Sequence, residues 1–342
     1  MKIAITRLGG NITNKNKKLI GNFETLMIAE LLKKYDSVDV LSCNDCEGCV
    51  KVDENFDINQ YDRLLVVNDS ANMFGGAEIK TMTTIYKLLA KYNNKIKFIL
   101  TDLSLPFVNY WEIIKNKPWN NYKEEDFKLK FPIDIISQGK DLEIASKIHK
   151  NVDIDNIIYV PLNEWGAFLL QPVYESERPI DLIYGGNFRS GRREKKFIDY
   201  FFNKDISVEM YGNIRESQFK LPYTKAPTFA KKVPADEVVK YNSRALATLI
   251  LGDSNYNNNI VTLRFIEALM SNCVCFIDND FDKVHSLLPD EFYVNNGLEL
   301  EAKVKKLKTD STYYNFLINQ QRQVLQNIIQ NNMPEKLYKS IL

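Results

Sequence analysis

The segment Ile180-Asp-Leu-Ile-Tyr-Gly-Gly-Asn-Phe-Arg-Ser-Gly-Arg-Arg193 changes character part-way along. Ile180, Leu182 and Ile183 read as an apolar strand running into Tyr184. Tyr184 to Arg193 carry a glycine-bearing loop, and beyond it Phe197, Phe201 and Phe202 line one face of a helix. Strand, loop and helix in that order make a βα unit, the building block of a parallel sheet. Such a loop ends at a helix N-terminus, where backbone N–H groups lack helical partners and the dipole favours negative charge. Arg189, Arg192 and Arg193 add planar forks that match phosphate oxygens. The pattern is neither a Walker loop nor G-x-G-x-x-G, so it predicts a phosphate-bearing ligand of unspecified class.

The same alternation extends in both directions. Downstream, strands are predicted at Leu182–Tyr184, Val208–Tyr211, Leu246–Leu251 and Cys273–Ile277. Helices are predicted at Glu194–Phe202, Asp236–Tyr241 and Thr262–Met270, with a polar helical tail from Ser311. Upstream, the strands are Ile3–Thr6, Val38–Leu41, Leu64–Asn68, Ile96–Thr101, Ile133–Ser137 and Ile157–Val160. The helices between them are Glu24–Tyr35, Glu78–Tyr92 and Leu142–Lys150. Pro161, Pro172 and Pro179 punctuate the stretch between the two blocks. The expected fold class is therefore α/β, with two doubly wound Rossmann-like domains facing each other across a cleft. Residues 1–168 form the expected first domain, completed by a C-terminal helix at 331–342, and residues 169–330 the second.

The formal net charge is only +1, so a polyanionic partner must be met by local basic patches. Such patches occur at Lys15, Lys17 and Lys18, at Arg189–Lys196, and at Lys225, Lys231 and Lys232. Met1-Lys-Ile-Ala-Ile-Thr reads as a strand rather than a secretory leader. No apolar run approaches the ~18 residues of a membrane span. Five cysteines, an odd number, fit free thiols in a reducing cytoplasm.

Several side chains are candidates for chemistry. Asp102 ends Lys97-Phe-Ile-Leu-Thr-Asp, where a carboxylate can take a proton from a nucleophile or simply cap a turn. Glu24 opens a helix, where it serves the dipole or holds ligand hydroxyls. Arg264 and Glu267 share a helix face at i, i+3, as a surface ion pair or as a nucleotide clamp. Phe74 in Asn72-Met-Phe-Gly-Gly lies on a loop, packed on its own domain or wedged into a base stack. Cys43, Cys46 and Cys49 have metal-like spacing, but neither His149 nor His285 is near in sequence to complete a tetrahedral set, so no metal site is assigned.

Taken together these segments resemble the DNA β-glucosyltransferases of T-even bacteriophages along nearly the whole chain. The resemblance rests on Tyr61-Asp-Arg-Leu-Leu-Val-Val-Asn, Thr101-Asp-Leu-Ser-Leu-Pro-Phe, Ile136-Ser-Gln-Gly, Ile183-Tyr-Gly-Gly-Asn-Phe-Arg-Ser-Gly, Thr224-Lys-Ala-Pro, Gly252-Asp-Ser-Asn-Tyr-Asn and Thr262-Leu-Arg-Phe-Ile-Glu. It implies a GT-B fold and inverting transfer of glucose from UDP-glucose to 5-hydroxymethylcytosine in duplex DNA. It further implies Asp102 as general base, Glu24 beside the donor sugar, and Arg189 and Arg193 on the pyrophosphate. Arg264 and Glu267 would hold the nucleotide, and Val233, after Lys232, would read uracil through its backbone. Asn72 and Phe74 would address the gap left by a flipped base. Asn187 stands where the family loop carries serine, and Arg192 where it carries glutamine, which leaves UDP-arabinose or another hydroxylated pyrimidine as alternatives. An inactive relative that only binds DNA or nucleotide is the other alternative. A divalent ion such as Mg or Mn would sit with the diphosphate, held weakly by protein. A monomer acting in the cytoplasm of an infected bacterium, with no membrane partner, completes the expectation.

Overall fold

The computed structural model describes residues 1–10, 12, 14–15, 18–19, 23–53, 55–68, 81, 84–85, 87–89, 96–101, 115–116, 121, 123, 133–138, 154–175, 177–188, 192–251, 262–281 and 287–342. The chain divides into two compact units. One comprises Met1–Trp165 with Asn332–Leu342, the other Gly166–Asn331.

In the first unit the strands are β1 (Lys2–Arg7), β2 (Asn14–Lys15), β3 (Lys18–Leu19), β4 (Ser37–Ser42), β5 (Val50–Lys51), β6 (Arg63–Asn68), β7 (Ile96–Leu100), β8 (Ile133–Ser137) and β9 (Ile154–Tyr159). Seven of them form a parallel sheet in the order β5-β4-β1-β6-β7-β8-β9, while β2 and β3 pair as an antiparallel hairpin. The order turns around between β1 and β6, the kind of switch point beside which α/β sheets bind ligands. Ile3, Ala4, Ile5 and Leu64 to Val67 are fully buried, as expected of strands covered on both faces.

The helix Met333–Ile341 returns to this unit and is tied down at several points. Met333, Leu337 and Ile341 are buried, Tyr338 stacks on Tyr35 with ring centroids 4.8 Å apart, and Tyr338 Oη donates to Asp36. Arg63 donates to the carbonyls of Ile341 and Leu342 at 2.9 and 2.7 Å.

The second unit is built on β10 (Ile180–Asn187), β11 (Val208–Asn213), β12 (Thr228–Phe229), β13 (Ala245–Ile250), β14 (Val274–Asp278) and β15 (Tyr293–Val294). They form a six-stranded parallel sheet in the order β12-β11-β10-β13-β14-β15. Helices Arg192–Phe201, Leu263–Ser271, Gly297–Thr309 and Ser311–Gln330 bring Phe197, Phe201, Ile266, Leu300 and Leu317 into one core with the sheet.

Every strand expected from the apolar pattern is present within a few residues. Of the expected helices, Glu78–Tyr92 is described only at 81, 84–85 and 87–89, all helical, and Leu142–Lys150 lies outside the described residues. The helix Gly297–Thr309 was not anticipated, although its signal is there. Asn296 accepts from Glu299 N at its start, and Leu300, Val304 and Leu307 recur at i, i+4, i+7.

Candidate nucleotide site

The tip of β10 departs from the expected loop. Gly185, Gly186 and Asn187 are still strand, paired in register with Tyr211, Gly212 and Asn213 of β11. The glycines are needed for close approach. A Cβ on Gly185 would lie 2.2 Å from the Tyr211 ring, and one on Gly186 would lie 2.9 Å from the Arg264 guanidinium. Opposite Gly186, Gly212 has φ +115°, and a Cβ there would meet the Gly186 carbonyl oxygen at 2.2 Å. Tyr211 is pinned from below by its hydroxyl, which donates to Asn242 Oδ1 at 2.9 Å.

Arg264 is the second residue of the helix Leu263–Ser271, whose other side is buried through Phe265, Ile266, Leu269 and Met270. Its guanidinium lies over the Tyr184 ring, 5.4 Å from the centroid, and Nη1 donates to Tyr184 Oη at 3.0 Å. Tyr184 is in turn held edge-on by Phe197 at 5.1 Å. One turn along the helix, Glu267 is 7% exposed, and burial pushes its carboxyl up to about 7 against the opposing pull of Arg264. The surface ion pair is thus not what the spacing encodes: Arg264 turns to an aromatic seat, and Glu267 is desolvated.

The helix Arg192–Phe201 is fixed at its first turns. Arg193 Nη2 donates to the Leu251 carbonyl at 2.8 Å. Glu194 accepts from the backbone N–H groups of Leu221 and Lys220, which hold its carboxyl below the usual range. Lys196 bridges the buried Asp278 at the carboxyl end of β14 and the exposed Asp280. Tyr200 Oη adds a bond to Asp278 at 3.1 Å. These anchors were not legible in the sequence, because each joins residues more than twenty positions apart.

Among the other expected residues, Asn187 is exposed at the end of β10, and Lys232 is exposed. Val233 packs against the cluster containing Ile183, Tyr211 and Val238. In the first unit Glu24 is half-buried in the first turn of the helix Phe23–Leu32. Arg189, Asp102, Asn72 and Phe74 lie outside the described residues. Cys43, Cys46 and Cys49 are free, and burial pushes the Cys43 thiol up to about 11 and that of Cys49 to about 12. Held protonated in this way, the thiols of Cys43 and Cys49 are poor nucleophiles. Among the described residues no group of three or more His, Cys, Asp or Glu is placed to hold a metal ion.

A protein-family model for bacteriophage T4 beta-glucosyltransferase matches residues 1–165. The DNA beta-glucosyltransferase of Enterobacteria phage T4 is 40% identical over 336 residues, spanning 95% of this chain and 94% of that protein. The chain belongs to the T4 β-glucosyltransferase family.

Solved structures of the family agree across the whole chain. The T4 phage enzyme in complex with its UDP-glucose substrate superposes with a TM-score of 0.86 at 37% identity, covering 100% of this chain and 99% of that one. Its complex with UDP and Mn2+ gives 0.86 at 38% identity with the same coverage. The two parallel-sheet units are therefore those of a GT-B glycosyltransferase. No helix among the described residues is long and apolar enough to cross a membrane.

Proposed function

We propose that this chain transfers glucose from UDP-glucose to the hydroxyl of 5-hydroxymethylcytosine in duplex DNA, with inversion at the anomeric carbon. The observation that carries the reading is the pair on the helix Leu263–Ser271. Arg264 rests on Tyr184 against Gly186, and Glu267 is buried one turn away. A guanidinium pre-set on an aromatic seat keeps its remaining N–H donors for phosphate, and a desolvated carboxylate is a strong acceptor for ribose hydroxyls. The resemblance of this chain to an enzyme solved with its UDP-glucose substrate supports assigning both to the nucleotide.

In this reading the second unit holds the donor and the first unit the DNA. Arg189 and Arg193 bear the charge that develops on the diphosphate, with Asn187 beside them. Backbone groups of Val233, after Lys232, read uracil. Asp102 takes the proton from the hydroxymethyl group as its oxygen attacks the anomeric carbon. The bond from that carbon to the phosphate oxygen breaks, and UDP leaves with the electron pair. Glu24 borders the sugar.

The target base lies inside a duplex, so it must swing out, with Asn72 and Phe74 closing the gap behind it. The enzyme acts as a monomer in the cytoplasm of an infected bacterium and shields phage DNA from nucleases, since a sugar in the major groove blocks base-edge readout. A divalent ion would travel with the diphosphate.

Asn187 favours one variation. An amide at the tip of β10, where the family carries serine, is longer and shifts the donors offered to the sugar-phosphate. A panel of UDP-glucose, UDP-galactose and UDP-arabinose with hydroxymethylated DNA, read by nucleoside mass spectrometry, tests the reading. Hexosylated hydroxymethylcytosine from UDP-glucose is expected, and transfer of a pentose alone would overturn the sugar assignment.

A further inference from the structure

Cys43, Cys46 and Cys49 lie between β4 and β5 of the first unit, and no step of the transfer reaction uses them. Cys46-Glu-Gly-Cys49 is a single turn, closed by the Cys49 N–H, which donates to the Cys46 carbonyl at 3.1 Å. Gly48, third in the turn, has φ +78°, the value a type II turn requires there. Such a turn keeps its first and last Cα atoms within about 7 Å, close enough for a disulfide to span. The two thiols also share a hydrogen bond, donated by Cys49 to Cys46. Cys43 is held elsewhere. Its N–H donates to the Gly10 carbonyl at 2.7 Å, and its Sγ donates to the Thr81 carbonyl at 3.8 Å. The next residue, Asn44, clasps the Ile12 backbone in both directions, at 3.0 and 2.9 Å. These bonds fix Cys43 beside Gly10 and leave pairing to Cys46 and Cys49.

The two thiols of the turn are not equivalent. Burial and the bond to Cys46 push the Cys49 thiol up to about 12, while the Lys33 ammonium pulls the other way. Cys49 therefore keeps its proton and offers it to the Cys46 sulfur, which leaves Cys46 as the sulfur that attacks. The turn is open to reagents from solvent. Both cysteines are half-buried, Glu47 and Gly48 are exposed, and a Cβ on Gly48 would meet nothing within 4 Å. Cys273 and Cys275, by contrast, are enclosed in the core of the second unit.

We propose that Cys46 and Cys49 form a thiol–disulfide exchange site, at which the enzyme is reversibly oxidised by a small disulfide such as oxidised glutathione. Cys46, as thiolate, attacks one sulfur of the incoming disulfide. A mixed disulfide forms, and the other half leaves as a thiolate that takes up the proton Cys46 released. With Cys46 capped, Cys49 no longer donates to a charged sulfur, and it gives its proton to water. It then attacks Cys46, closing the bond between the two and expelling the second glutathione thiol. Two protein thiols are oxidised to one disulfide, and one disulfide is reduced to two thiols. Excess reduced thiol runs the same steps backward.

Reduced full-length protein equilibrated with oxidised glutathione, alkylated, cut after Glu47 and read by mass spectrometry tests this. The wild type should lose a pair of hydrogens, keep Cys43 alkylated, and show Cys46 joined to Cys49 across the cut. Reduced glutathione should then restore its free thiols. Cys43→Ser should oxidise as the wild type does. Cys49→Ser should stop at a stable glutathione adduct on Cys46. Cys46→Ser should take up glutathione at Cys49 about tenfold more slowly, or less readily still. The wild-type map requires no variant to fold. A wild type that stays reduced or carries adducts alone, a bridge through Cys43, or a disulfide that reduced glutathione does not open would overturn the site. So would a Cys43→Ser variant that cannot oxidise, or equal adduct rates in Cys46→Ser and Cys49→Ser.

Discussion

Glu267 has to meet ribose hydroxyls as a carboxylate in a place where burial favours its protonated form. Its folded value of about 7 lies above the ordinary 4.5, so between these values the folded protein holds a proton that the unfolded chain releases. Stability therefore falls as pH rises from 4.5 to 7, by about 3 kcal/mol if the whole shift is realised. Two outcomes follow. Glu267→Gln should raise the Tm of the ligand-free protein at pH 8 and flatten its pH slope, while UDP affinity drops. In the wild type, UDP affinity measured by calorimetry should weaken below about pH 7, as the acceptor is lost. An unchanged slope in the variant would place the titrating group elsewhere. Burial pushes Glu164, in the 3-10 turn Leu162–Trp165, to about 7 as well, with the same sign, so Glu267→Gln removes only part of the slope. For Asp102→Ala the proposed general-base role predicts loss of turnover with UDP binding nearly intact, and an equal loss of both would sink that role. The spacing of Arg264 and Glu267 was visible in the sequence, but the choice between ion pair and ligand clamp was not. Tyr184, which decides it, lies 80 positions away.

At the scale of elements, the tip of β10 turns on three glycines with different tolerances. The atoms nearest a Cβ on Gly186 belong to the Arg264 guanidinium, the far end of a flexible side chain. Gly186→Ala should therefore fold with a loss of about 1 kcal/mol or less while displacing Arg264 and weakening UDP binding about tenfold. Gly212→Ala meets backbone at 2.2 Å and a φ of +115° that side chains avoid. Its expected cost is about 3 kcal/mol or more, measured by denaturant unfolding. Comparable effects of the two on stability would show that the Arg264 side chain does not move aside. The glycine pair was legible as a special site. That it is strand end rather than loop was not, because the close approach of Tyr211 and Arg264 comes from neighbouring elements. The long strands were readable from continuous apolar runs, whereas β5, β12 and β15, two residues each, are too short to carry a pattern.

At the scale of the molecule, the last eleven residues, Asn332–Leu342, belong to the unit that opens the chain. Deleting them would remove the buried Met333, Leu337 and Ile341, the Tyr35–Tyr338 stack and the two bonds from Arg63. Calorimetry should then show the transition of the first unit falling while that of the second, with its complete sheet, is retained. A uniform loss of both would mean that the units unfold as one. The amino-acid sequence determined on its own the alternation of strands and helices, the two α/β blocks and the arginine-rich stretch that follows the Tyr-Gly-Gly-Asn segment. These are carried by local periodicity and by residues close together in the chain, whereas the family resemblance rests on matching segments collinear along nearly all of it. Only the tertiary structure decided that Arg264 rests on Tyr184 and that Glu267 is buried. Those facts depend on which distant side chains the packed sheets bring within a few ångströms, and on how much water they exclude.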